Sequence, residues 1–264
     1  MSIVISVKVQ DGVVLASDSC VIHRERSYFQ AEKTLNPIRG LPIGVMIVGD
    51  GSIGVSSVAN HLRDYGQLAK VRSGPWSLSK THYTLGGIAA QMCRYLKEVA
   101  QISEEDGHTA LTIVGYSADR PLPETWRISI NAAQPSEPEL IWGENEYGVT
   151  WDGERECLDR LLCGTSQSFP SVLTDFGLSS DQSAELQARV ADACGSEVVT
   201  PGMPLQDAVE LARFLAETTI SFVGFSQSGE LKTVGGPVDI AAITRHDGFR
   251  WIQRKRSLSV VANR

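Results

Sequence analysis

The sequence predicts an α+β protein in which two antiparallel sheets carry helical layers on their outer faces. Three observations lead there. The chain opens on a β-branched hairpin, blocks of consecutive helical segments twice interrupt the runs of strands, and no sustained strand–helix–strand alternation of the kind a parallel sheet requires is found.

The hairpin comes first. Ser2 to Val9 is β-branched and roughly alternating, Gln10-Asp11-Gly12 is a turn of the Asp-Gly kind, and Val13 to Ser19 is a second apolar strand ending on the acid Asp18. Val21 to Gln30 is polar and reads as a loop or an exposed turn of strand. Lys33 to Ile38 reads as a short extended piece, and Pro42 to Gly49 as a buried strand. Asp50-Gly51-Ser52 then opens a predicted helix to about Ala69, with Val55, Val58, Leu62 and Tyr65 at helical spacing. After the break at Ser73-Gly74-Pro75, a longer helix from about Ser79 to Ile102 places Leu85, Ile88, Met92, Leu96 and Val99 on one face. Strands return at Ala110 to Tyr116, Thr125 to Asn131 and Glu139 to Trp142. Four helices follow, about Asp152 to Cys163, Ser168 to Phe176, Ser180 to Ala193 and Pro204 to Phe222. The end is sheet again: Glu230 to Thr233, Val238 to Thr244 and Phe249 to Gln253.

The 264 residues carry no Pro/Ser-rich linker and read as one domain, 1–264. Hydrophobic residues at 42% and charged residues at 21% are ordinary for a globular protein, and a net charge of −7 argues against a nucleic-acid surface. The basic cluster Arg250 to Arg256 reads as the solvated side of a final strand. No leader and no apolar run of membrane-spanning length is visible, so a cytoplasmic protein without membrane contact is expected. Five cysteines without a CxxC fit reduced thiols, and five dispersed histidines suggest no metal.

The start of the chain carries the chemistry. Methionine is usually trimmed before a small residue, which would leave Ser2 with a free α-amine beside its hydroxyl. An α-amine with a pKa near ~7.7–8.0 can take the hydroxyl proton at neutral pH, the logic of an N-terminal nucleophile. If Met1 stays, the Ser2 nitrogen is an amide and cannot act as base. A competing motif is Gly49-Asp50-Gly51-Ser52-Ile53-Gly54, which satisfies G-x-G-x-x-G and would imply NAD(P). The second parallel strand with an acidic tip that such a site needs is missing, since Leu68 to Arg72 leads into a Pro break.

Taken together, Asp11 to Ser19, Lys33, Ile47-Val48-Gly49, Leu111 to Tyr116 and Val234-Gly235-Gly236-Pro237-Val238-Asp239-Ile240 resemble the proteasome β-subunit and HslV branch of the N-terminal-nucleophile (Ntn) hydrolases. The resemblance spans nearly the whole chain and implies a four-layer αββα sandwich. It places Ser2 at the nucleophile, Asp18 at the acid ending the second strand, Lys33 at the lysine beside the nucleophile, and Gly49 at the oxyanion-hole N–H. A lysine ammonium there would lower the pKa of the amine and hydroxyl, Asp18 would hold it charged, and the Gly49 donor would meet the tetrahedral intermediate. No cofactor is implied. The partners implied are a peptide or protein substrate, further copies of the chain, and a separate ATPase for any unfolding, because the chain has no P-loop. The alternative is a non-catalytic assembly subunit, although the chain begins directly on the strand as β-type subunits do.

The chain also departs from the family. Serine replaces threonine, the RD-x-x-SG support near the last helix is not visible, and Gly164-Thr165-Ser166 only approximates the GSG segment. Val149-Thr150-Trp151-Asp152-Gly153 is unfamiliar, and a helical insertion is expected at about 168–197.

Overall fold

The computed structural model describes residues 2–23, 26–100, 108–131, 134–226 and 233–255. Strands β1 (Ile3–Val9) and β2 (Gly12–Ser17) form the opening hairpin, in register from Val4 opposite Ser17 to Val9 opposite Gly12. Every residue of both strands is buried. The polar stretch that follows is itself a small hairpin, β3 (Val21–His23) with β4 (Arg26–Tyr28). Next come β5 (Thr34–Leu35) and the buried β6 (Ile43–Gly49).

The helix expected from residue 50 begins later. Gly51 and Gly54 adopt φ of 71° and 58°, which turn the chain into a hairpin of β7 (Ser52–Ile53) and β8 (Ser56–Ser57). Helix α1 (Val58–Leu68) starts only where the Ser57 hydroxyl accepts the Asn60 N–H at 3.2 Å, and Val55 is exposed. The G-x-G-x-x-G stretch therefore does not form the strand-to-helix turn that cradles a dinucleotide.

Helix α2 (Leu85–Ala100) is shorter at its start than its apolar pattern suggested; Ile102, at its expected end, lies outside the described residues. Then follow β9 (His108–Gly115), β10 (Glu124–Asn131), β11 (Gln134–Pro135), β12 (Glu139–Trp142) and β13 (Gly148–Gly153). Strand β13 corrects two expectations at once, because Asp152 and Gly153 finish a strand and α3 (Glu156–Cys163) begins three residues beyond. Helices α4 (Phe169–Asp175), α5 (Ser180–Cys194) and α6 (Leu205–Phe225) lead to β14 (Asp239–Thr244) and β15 (Gly248–Gln253). Of the strand expected at Glu230 to Thr233, residues 230–232 lie outside the described residues and Thr233 is in no strand.

The result is a mixed fold of antiparallel sheets and, among the described residues, six helices. One sheet runs β13-β1-β2-β14-β15 and the other β11-β10-β9-β6-β5, with β12 also beside β10. Side-chain alternation splits β1 between two cores. Ile3, Ile5 and Val7 pack with Ala208, Ala212 and Leu215 of α6, whereas Val4 meets Met46, Val48 and Val114 of the second sheet. The far face of that sheet, with Ile43, Val45 and Ile113, packs with Leu62 of α1 and Ile88, Met92 and Leu96 of α2.

Lys8 is an unexpected member of β1. It is 2% exposed, and its ammonium donates to the carbonyls of Gly143 and Glu144, tying β1 to the loop between β12 and β13. Burial pushes its pKa down to about 8, against the pull of the Glu146, Glu124 and Glu144 carboxylates.

Candidate active site

The site is built at the start of β1. Ser2 is 3% exposed, and the peptide unit joining it to Ile3 is gripped from both sides. Its carbonyl accepts the Glu154 N–H at 2.7 Å, and the Ile3 N–H donates to Asp18 Oδ1 at 2.9 Å. Glycine at position 153 is what lets β13 approach so closely: its φ is 94°, and a Cβ there would collide with the Ser2 carbonyl oxygen. Thr233 in turn donates to Glu154 Oε2 at 3.2 Å.

Asp18 follows β2 and is fully buried. Its Oδ1 receives the Lys33 ammonium at 2.5 Å as well as Ile3, and its Oδ2 accepts the N–H groups of Cys20 and Gly235, each at 3.0 Å. Three backbone donors and one cation thus satisfy a carboxylate that would otherwise be expensive to bury. Lys33 is 4% exposed and sits just before β5, where its carbonyl accepts the Ile47 N–H at 2.8 Å. Burial pushes its pKa down while Asp18 opposes the shift, so this lysine is held nearer to giving up a proton than an ordinary one. The Cys20 thiol is pushed up, first by burial and then by the Asp18 charge.

Gly49 ends β6 at φ 104°, and a Cβ would strike the His108 carbonyl oxygen, so no other residue fits without moving β9. Asp50 fixes this corner by donating its N–H to that carbonyl at 3.1 Å while its Oδ2 accepts the His108 N–H at 2.8 Å.

These residues converge. Ser2, Lys33 and Gly49 line one cavity of about 290 Å³, together with Ile47, Gly51 and Ser57, and Asp18 stands behind Lys33. Gly164-Thr165-Ser166 is elsewhere: Gly164 closes α3 at φ 72° against Cys194. The surroundings of Ser2 and Asp18 instead come from Gly153, Glu154, Thr233 and Gly235, and a second, largely buried ion pair braces the segments around Asp18 and Lys33. Lys255 donates to Asp239 at 2.5 Å, to the Ala31 carbonyl at 2.6 Å and to the Ser19 hydroxyl at 3.3 Å. It therefore ties together the segments that carry Asp18 and Lys33, and its charge also lowers the Lys33 pKa. Nothing local in the sequence marks Lys255, which stands in a solvated-looking basic run. The described residues contain no group of three His, Cys, Asp or Glu side chains placed to hold a metal.

No known family's sequence pattern matches the chain, and no curated protein does. Solved structures do. The helical assembly of the Anbu complex from Pseudomonas aeruginosa superposes with a TM-score of 0.57 at 15% identity, over 97% of this chain and 88% of that one. The chain has the fold of Anbu. The Gly-1 mutant of Anbu from Hyphomicrobium sp. strain MC1 gives 0.56 at 13% identity over 97% and 87% of the two chains. Anbu from Yersinia bercovieri, described as an ancestral β-subunit, gives 0.54 at 12% over 96% and 88%. These matches correct the resemblance read from the sequence: Anbu is proteasome-like but distinct from the proteasome β-subunit and HslV families. The physical reason is that the opening hairpin, Asp18, Lys33 and the closing glycines are a few short, widely spaced motifs, too little of the chain to tell one family of this fold from another at 12–15% identity.

No helix among the described residues is long and apolar enough to cross a membrane.

Proposed function

We propose that the protein is an Anbu-like Ntn hydrolase of peptide or related amide bonds, with Ser2 as nucleophile once Met1 is removed. The observation that carries this reading is the shared cavity of Ser2, Lys33 and Gly49, with the Lys33 ammonium 2.5 Å from a fully buried Asp18. In the proposed reaction the α-amine of Ser2 takes the hydroxyl proton as the oxygen attacks the carbonyl carbon. The Lys33 cation favours the alkoxide, and the Gly49 N–H donates to the oxyanion. The amine then returns the proton to the leaving nitrogen, giving an ester on Ser2. Water, activated by the same amine, hydrolyses it.

The four-layer αββα arrangement belongs to this proposal and is supported by α6 packing on one sheet and α1 and α2 on the other. So does a helical insertion at about 168–197, where α4 and α5 stand. Self-assembly is also proposed, on the ground that the P. aeruginosa Anbu structure is a helical assembly and that Phe214, Phe222 and Phe225 of α6 are exposed. Any unfolding of protein substrates would come from a separate ATPase.

Intact mass together with labelling by a peptide boronate or β-lactone tests the chemistry. Loss of Met1 and modification of Ser2, absent in Ser2→Ala, is the expected result. Met1 retained in every molecule, with no labelling, would identify a non-catalytic assembly subunit instead. Analytical ultracentrifugation reads the assembly state directly.

A further inference from the structure

A groove of about 760 Å³ runs along the side of the molecule where the two sheets present their edge strands, β5 and β15. Its charge is opposite to that of the chain. Arg39, Arg63, Lys70, Arg245 and Arg254 line it against two acids, Glu32 and Asp247, in a protein whose net charge is −7. Arg63 and Arg254 both pair with Glu32. Arg39, Lys70 and Arg245 are exposed, and none of the three makes an ion pair among the described residues. The floor is apolar, with Leu35 and Pro42 on one side and Phe249 and Trp251 on the other, the latter two in edge contact at 5.2 Å.

The groove does not stand apart from the Ser2 cavity. Glu32 and Arg63 line both, so their ion pair sits at the junction. Edge strands offer unpaired backbone groups to an extended peptide, and a cationic wall over an apolar floor favours one that alternates acidic and apolar side chains.

We propose that this groove binds an acidic, extended stretch of peptide and leads it to the Ser2 cavity, so that the substrates are peptides with acidic residues flanking the cleaved bond. This rests on the hydrolytic reading above. Carboxylates on the peptide would displace Glu32 from Arg63 and Arg254 and meet Arg39, Lys70 and Arg245 directly.

Binding and turnover test the two readings separately. Fluorescein-labelled octapeptides, one acidic, one neutral and one basic, are titrated by anisotropy against the full-length Ser2→Ala protein. The acidic peptide is expected to bind at least about tenfold more tightly than the neutral one at low ionic strength, with the difference shrinking as salt rises. Arg39→Glu/Arg245→Glu removes the preference, and the milder Arg39→Gln/Arg245→Gln reduces it, with circular dichroism confirming that both fold. With active protein, a neutral amide reporter extended by the acidic tract should show a KM about tenfold lower and an unchanged kcat. Equal affinity for acidic and neutral peptides, or charge-reversed protein that binds as before, overturns the proposal. So does competition by an oligonucleotide of equal charge as effective as that of the acidic peptide. Selective acidic binding without any labelling of Ser2 leaves the groove standing and sinks the hydrolytic reading alone.

Discussion

Removing Asp18 should damage the protein far more than removing its partner Lys33, because the two sides of this ion pair are satisfied unequally. Asp18 holds four donors, the Lys33 ammonium and the N–H groups of Ile3, Cys20 and Gly235. In Asp18→Ala a buried ammonium loses its counter-charge, a loss of about 3–5 kcal/mol for a pair broken on one side. Each of the three stranded N–H groups adds roughly 1–3 kcal/mol if water cannot reach it. Lys33 can shed part of the first penalty by deprotonating, since burial already pushes its pKa down. The expected loss is still about 5 kcal/mol or more, on the scale of the whole stability of a domain. Lys33→Met removes the cation but leaves Asp18 with three backbone donors, and about 1.5–3 kcal/mol, the worth of one hydrogen bond to a charged group, is expected. Equilibrium urea denaturation followed by tryptophan fluorescence measures both, with Asp18→Asn, which keeps one acceptor oxygen, as an intermediate case. Equal losses for Asp18→Ala and Lys33→Met would show that the backbone donors contribute nothing and that the carboxylate exists only for its lysine.

Three further outcomes follow from the same geometry. Lys255→Met removes a charge that lowers the Lys33 pKa, so Lys33 stays a cation to higher pH and the alkaline limb of Ser2 acylation should move upward, whereas a purely structural role would lower the rate at every pH alike; Lys255→Arg should restore that limb. Gly49→Ala must abandon φ 104° or push β9 away, and a loss of about 1–3 kcal/mol in urea unfolding is expected together with slower labelling of Ser2. Lys8 has a pKa of about 8 in the folded chain against 10.5 unfolded; between these values the unfolded state holds the extra proton, so stability rises with pH across that window, and Lys8→Met should flatten the rise in a series of urea melts.

The expectations that held were those resting on local chemistry. Alternation from Ile3 to Val9 and the Asp11-Gly12 turn specify the opening hairpin whatever lies around it, and the helical spacing of Ile88, Met92 and Leu96 specifies α2 in the same way. Where two local signals competed, the sequence was a poor guide. Asp50-Gly51-Ser52 has the composition of a helix start, yet Gly51 and Gly54 could also take positive φ, and pairing of β7 with β8 used that freedom. The stretch from Val149 to Gly153 had no pattern of its own because its partner, β1, lies about 145 residues earlier in the chain.

The sequence by itself determined the opening hairpin, the acid Asp18 that follows its second strand, and an acidic chain of antiparallel sheets with helices. Only the tertiary structure decided what surrounds Ser2, Asp18 and Lys33: Gly153 and Glu154 from β13 and its end against Ser2, Gly235 from the approach to β14 against Asp18, and Lys255 beyond β15 bracing the segment before Lys33. The same holds for the cationic groove, whose charges are scattered from Glu32 to Arg254 along the chain. Side-chain periodicity acts between neighbours in sequence, whereas a buried carboxylate recruits whichever donors the packed fold brings within about 3 Å of it, however far away they lie along the chain.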